Sequence, residues 1–107
     1  MKEGACRPSF LIGIRWLEEF MSLIDDLNRS ALRYVTIRCR YSQLVADKCD
    51  LSVIESERTI AHNSLISCFD SCLRGQVEKD PEMIKAHSGG RAGIARWAIN
   101  YVCENLL

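Results

Sequence analysis

From Ser52 to Gly75 the chain reads SVIESERTIAHNSLISCFDSCLRG, and no other stretch restricts the fold as much. At about 100° per residue, Ile54, Ala61, Leu65, Cys68, Phe69, Cys72 and Leu73 gather on one face, and Ser56, Asn63, Ser67, Asp70 and Arg74 on the other. That spacing predicts an amphipathic helix. Ser52 followed by Glu55 has the pattern of a capping box, in which hydroxyl and carboxylate satisfy backbone N–H groups reciprocally. Gly75 offers a left-handed residue to end the helix. Glu55, Arg58 and His62, at i, i+3 and i+7, fall on the apolar side or its edge, where neighbours at that spacing touch.

A helix with one face to bury needs partners, and the flanking sequence supplies more helices. Pro8 or Ser9 opens one that runs to about Asn28, leaving residues 1–7 as a loose, polar start. Phe10, Ile14, Trp16, Leu17, Phe20, Met21, Leu23, Ile24 and Leu27 cover most of its circumference. An apolar arc that wide asks for neighbours on two sides, either as the centre of a bundle or through a homodimer using part of this helix. From Ser30 to Lys48 a helical face of Leu32, Val35, Cys39 and Ala46 competes with the strand-like alternation of residues 35–41, VTIRCRY. Helix is the expectation, because a lone strand finds no partner for its backbone.

Asp47 to Leu51 forms the break before the Ser52–Gly75 helix. Asp80 and Pro81 are an N-cap followed by proline at the first helical position, opening a turn or two over Glu82 to His87. Gly89 and Gly90 form a joint; Ser88-Gly89-Gly90-Arg91 lacks the spaced glycines and lysine of a phosphate loop and follows no strand. The last helix covers about Arg91 to Glu104, with Ile94, Trp97, Ala98, Tyr101 and Val102 inward. The 107 residues suit one all-α domain, a bundle of four main helices plus a short extra turn.

Charge and cysteine usage narrow the function classes. Fourteen basic residues balance fourteen acidic ones, so no global electrostatic footprint for nucleic acid or an anionic membrane exists. Arg29, Arg33 and Arg40 make a local stripe with Arg38 nearby, read first as a solvated face in which Asp25 or Asp26 pairs with Arg29 or Arg33, with an anion or nucleic-acid contact as the alternative. No stretch approaches the roughly 20 apolar residues of a membrane span. The six cysteines contain no CxxC pair and follow no visible secretory signal, so reduced thiols in a cytoplasm are expected, with Cys68 and Cys72 as small buried hydrophobes. No cofactor motif or metal framework is present, and none is expected to bind.

The chemistry centres on Glu55, Arg58, His62 and the neighbouring Asn63. A buried arginine predicts an acceptor nearby, either Glu55 or a carboxylate of another helix. The first reading is an internal network that fixes helix register; the second is a groove for an acidic peptide or small anion. In the third, His62 is a general base and Arg58 stabilises a phosphoryl transition state. HEPN-superfamily ribonucleases separate their Arg and His by four to six residues, whereas Arg58-Thr-Ile-Ala-His62 has three between, so a small ribonuclease-like hydrolase is kept as the alternative. His87 reads as a solvated loop histidine.

Residues 57–66, ERTIAHNSLI, together with a terminal helix that begins near Gly90-Arg91 and continues in aromatic and aliphatic residues, resemble a group of small bacterial all-helical proteins with no known reaction. The resemblance implies an all-α bacterial cytosolic protein with Arg58, His62 and Asn63 as the positions of interest. The leading functional expectation is a protein–protein interaction or regulatory module acting through helical surfaces.

Overall fold

The computed structural model describes the backbone of residues 2–107 and the side chains from Trp16 onward. It is all-α: four helices, α1 (Lys2–Ala46), α2 (Ser52–Gly75), α3 (Pro81–Ser88) and α4 (Gly90–Asn105), and no strand among the described residues. Residues 35–41 are helical, as expected. No described helix is long and apolar enough to cross a membrane.

The two helices expected on either side of Asn28 are one. Nothing from Asn28 to Ser30 breaks a helix, and the polar side chains there serve tertiary bonds: Asn28 Oδ1 accepts from Tyr101 Oη at 2.5 Å, and Ser30 Oγ lies 3.1 Å from Cys68 Sγ. The upstream boundary also moves. Pro8 removes one backbone donor but keeps a helical φ, so the start expected at Pro8 or Ser9, and the loose segment 1–7 with it, give way to helix from Lys2. Met1 lies outside the described residues.

The core lies where α1, α2 and α4 meet. Leu27, Ala31, Tyr34 and Ile37 of α1 face Ile54, Ala61, Leu65, Phe69 and Cys72 of α2, and Ile94, Ala95, Ala98 and Val102 of α4 close the third side. Phe69 is fully enclosed and meets the Trp97 ring edge-on at 5.0 Å, while Trp97 stacks on Tyr101 at 4.7 Å. Truncating a core aromatic of this kind costs about 3–5 kcal/mol. Cys72 is buried as expected, and its Sγ reaches the Leu23 carbonyl at 3.1 Å.

Helix ends differ in detail from the expected signals. The capping box does not form; Leu51 is the N-cap, and Asp50 accepts from both the backbone N–H and the hydroxyl of Ser52. Gly75 is not left-handed, since the positive-φ positions are Lys48 and Gly90. Its value is spatial: a Cβ there would lie 3.3 Å from both Leu23 Cδ1 and Phe20 Cδ1 of α1. Lys79 Nζ takes over the C-terminal capping by donating to the carbonyls of Leu73 and Arg74 at 2.6 and 3.2 Å.

The α3 start is the one expected, with Asp80 Oδ1 accepting from Glu82 N at 2.9 Å and Pro81 following. α3 then joins α4 through Gly89 and Gly90. Gly90 has φ +68°, and a Cβ at Gly93 would collide with the Ala86 carbonyl oxygen. The short helix therefore folds directly against the first turn of α4, and this crossing fixes where Arg91 lies.

Candidate functional site

The polar residues singled out in α2 do come to one place, but not as a network among themselves. Glu55 is exposed, and among the described residues no carboxylate lies within ion-pair distance of Arg58. The expected Glu55–Arg58 acceptor pairing is therefore replaced. Half-buried Arg58 lays its guanidinium over the Tyr41 ring of α1 at 4.8 Å, a cation–π contact that draws on the ring quadrupole. Glu55 lies three residues nearer the start of α2 and is exposed, so its carboxylate is solvated by water rather than paired.

His62 is held from two other helices. Its ring packs on Tyr34 of α1 at 4.9 Å, tilted by 40°, and its Nε2 lies 3.2 Å from the Arg91 backbone oxygen at the start of α4. A carbonyl only accepts, so Nε2 carries the proton and Nδ1 of the neutral ring is left with its lone pair. The next residue, Asn63, uses Oδ1 to accept from Arg91 Nη2 at 2.9 Å. Arg91 thus touches both adjacent α2 residues, one through its backbone and one through its side chain. Partial burial pushes the His62 pKa down, opposed by the bond to the Arg91 carbonyl and assisted by the charges of Arg91, Arg58 and Arg38.

These groups line a pocket of about 400 Å³ bounded by Tyr41, Glu55, Arg58, Thr59, His62 and Arg91. Arg38 stands behind it and donates to Tyr34 Oη at 3.1 Å. Of the lining side chains two, Arg58 and Arg91, are cationic and one, Glu55 at the rim, is acidic. Of these, Arg58 was legible from the helical spacing. Arg91, Arg38, Tyr34 and Tyr41 were not, because their approach depends on how α1 and α4 pack; the only sequence signal was an arginine directly after a diglycine at a helix start.

Other sequence-derived sites resolve more simply. His87 is not in a loop but in the last turn of α3, with Nε2 3.5 Å from Asp70 Oδ1 of α2. Arg29, Arg33 and Arg40 are all exposed, and Arg29 pairs with Asp26 at 3.2 Å as expected. Among the described residues no three His, Cys, Asp or Glu side chains converge on a point where a metal ion could sit. A larger groove of about 1010 Å³ runs between α1, α3 and α4, with Phe20, Ile24 and Met83 along its apolar wall and charged residues such as Glu82, Lys85 and Arg96 at its mouth. It holds no cluster of the kind seen around His62.

Comparison of the chain with models of protein families, with curated proteins and with solved structures gives no match.

Proposed function

We propose that the chain is a protein–protein interaction or regulatory module acting through its helical surfaces, and that it pairs with a second copy through the N-terminal part of α1. One observation carries the reading. α1 continues past the end of α2: Gly75, the last residue of α2, packs at Phe20 and Leu23, Trp16 and Leu17 upstream of that point are 40% and 52% exposed, and Met21 beside it is 54% exposed. Leu17 and Met21 are one turn apart, and the sequence continues as apolar Phe10, Leu11, Ile12 and Ile14.

A helix that extends apolar beyond its own bundle is best covered by the same segment of another copy, because an isologous contact buries both stripes at once. Sedimentation velocity tests this. The expected result is a dimer at micromolar concentration, converted to monomer by Leu17→Glu with Met21→Glu while the helical signal is retained. A monomer of the unaltered chain at those concentrations would refute the pairing. A bacterial, cytosolic setting belongs to the same proposal and rests on the resemblance of residues 57–66 and of the terminal helix.

The alternative is a small ribonuclease-like hydrolase using Arg58 and His62. Arg58 and an unprotonated Nδ1 suit it, with His62 as the base that takes a proton from a substrate hydroxyl or water. Retention of a detected nuclease activity by His62→Ala would remove it.

A further inference from the structure

We propose that the pocket between α1, α2 and the start of α4 is a binding site for a small phosphate monoester, gripped by Arg58 and Arg91 beside His62. Three features of the structure lead there. First, the cations are unneutralised. Among the described residues neither Arg58 nor Arg91 has a carboxylate within 4.0 Å, and the one acidic residue of the lining, Glu55, is exposed at the rim. In a chain of net charge zero this is a concentrated positive site in a concavity, where field lines focus on an entering anion.

Second, both guanidinium groups are positioned while keeping donors free. Stacking on Tyr41 uses the face of Arg58 and leaves its in-plane N–H groups unspent. Arg91 spends one donor on Asn63, which fixes its direction, and the rest remain. The α4 N-terminus that carries Arg91 has no capping side chain and no acidic residue in its first turn, which adds to the positive potential. Guanidinium forks of this kind match tetrahedral oxyanions.

Third, His62 selects among oxyanions. Its Nε2–H is committed to the Arg91 carbonyl, so what it offers a ligand is the Nδ1 lone pair. That acceptor repels a fully ionised group such as sulfate and welcomes the P–OH of a phosphate monoanion, whose second ionisation lies near pH 6. The volume of about 400 Å³ leaves room for the organic part of the ester.

The test is a titration with phenyl phosphate at low ionic strength near pH 6, where about half of the ester is the monoanion, followed by backbone amide shifts in two-dimensional NMR. Saturable shifts centred on Asn63 and residues 91–93 are expected, with Kd of roughly 1 mM or tighter. Arg58→Ala and Arg91→Ala should each weaken binding about tenfold or more, the loss of one charge-assisted contact. Arg96→Ala, on the outer face of α4, should leave it unchanged; Arg58→Lys serves as a milder variant should the alanine change disturb folding, and should bind with intermediate affinity. Absence of saturation, equal weakening by Arg96→Ala, or sulfate or acetate binding as tightly as the phosphate ester would each overturn the proposal. The dimer reading is unaffected by any of these outcomes, since it is measured by sedimentation of the unliganded chain.

Discussion

Gly93→Ala should destabilise the protein even though it replaces glycine inside a helix. In an exposed helix interior this change gains about 1 kcal/mol from propensity. Here the new methyl would be driven into α3, onto the Ala86 carbonyl oxygen, with the carbonyl carbon 3.3 Å and the Cα 3.7 Å away. The obstacle is backbone, so no rotamer change relieves it; α3 and α4 must separate by on the order of 1 Å to restore ordinary contact. Overpacking of that kind costs about 1–3 kcal/mol, and more where the obstacle cannot yield. The net expectation is a loss of about 1–2 kcal/mol.

For a domain of this size each kcal/mol moves Tm by about 4–8 °C. Thermal and urea unfolding followed by far-ultraviolet circular dichroism measure it, with Gly75→Ala as the control. There the nearest atoms are the ends of the Leu23 and Phe20 side chains at 3.3 Å, which can shift, and the change should fall within about 0.5 kcal/mol of neutral. Because Gly93 follows Arg91 by two residues, a forced opening should also disturb the His62–Arg91 contact, visible as a shift of the His62 ring protons. A Gly93→Ala protein as stable as the unaltered chain would show that the crossing of α3 and α4 is looser than the Gly93–Ala86 contact implies.

Two further outcomes follow from ionisable groups. Burial holds the His62 pKa below its ordinary value of about 6.5, so below that pH the unfolded chain takes up the proton more readily than the folded one. The contribution of His62 is then complete above pH 6.5 and is lost as pH falls through the folded value. In buffers free of phosphate, the stability of the unaltered chain should drop more steeply from pH 7 to pH 5 than that of His62→Gln; parallel curves would contradict the assignment. Separately, burial pushes the Cys72 thiol up to about 11, whereas Cys39, Cys49 and Cys103 are exposed. Among the described cysteines, a thiol-reactive dye at pH 8 should label Cys39, Cys49 and Cys103 under native conditions and reach Cys72 only after unfolding.

Local periodicity alone specified much of this protein. The face of α2 that carries Ile54, Ala61, Leu65, Phe69 and Cys72, the Asp80–Pro81 start of α3 and the inward residues Ile94, Ala98 and Val102 of α4 follow from spacing, because each depends on neighbours within a turn or two. The continuity of α1 did not. Asn28 and Ser30 look like the end of one helix and the start of another until Tyr101 and Cys68, far along the chain, take up their side chains. The polar cluster divides in the same way. Sequence placed Arg58 and His62 one turn apart, and chain proximity suggested that Glu55 completes them. Tertiary packing decided otherwise, setting Tyr41 beneath Arg58, Tyr34 beneath His62, and the Arg91 backbone on the imidazole. A helical period fixes which side of its own axis a residue occupies, but the groups that meet it belong to other axes, and their crossing is set by close contacts such as Gly93 on Ala86.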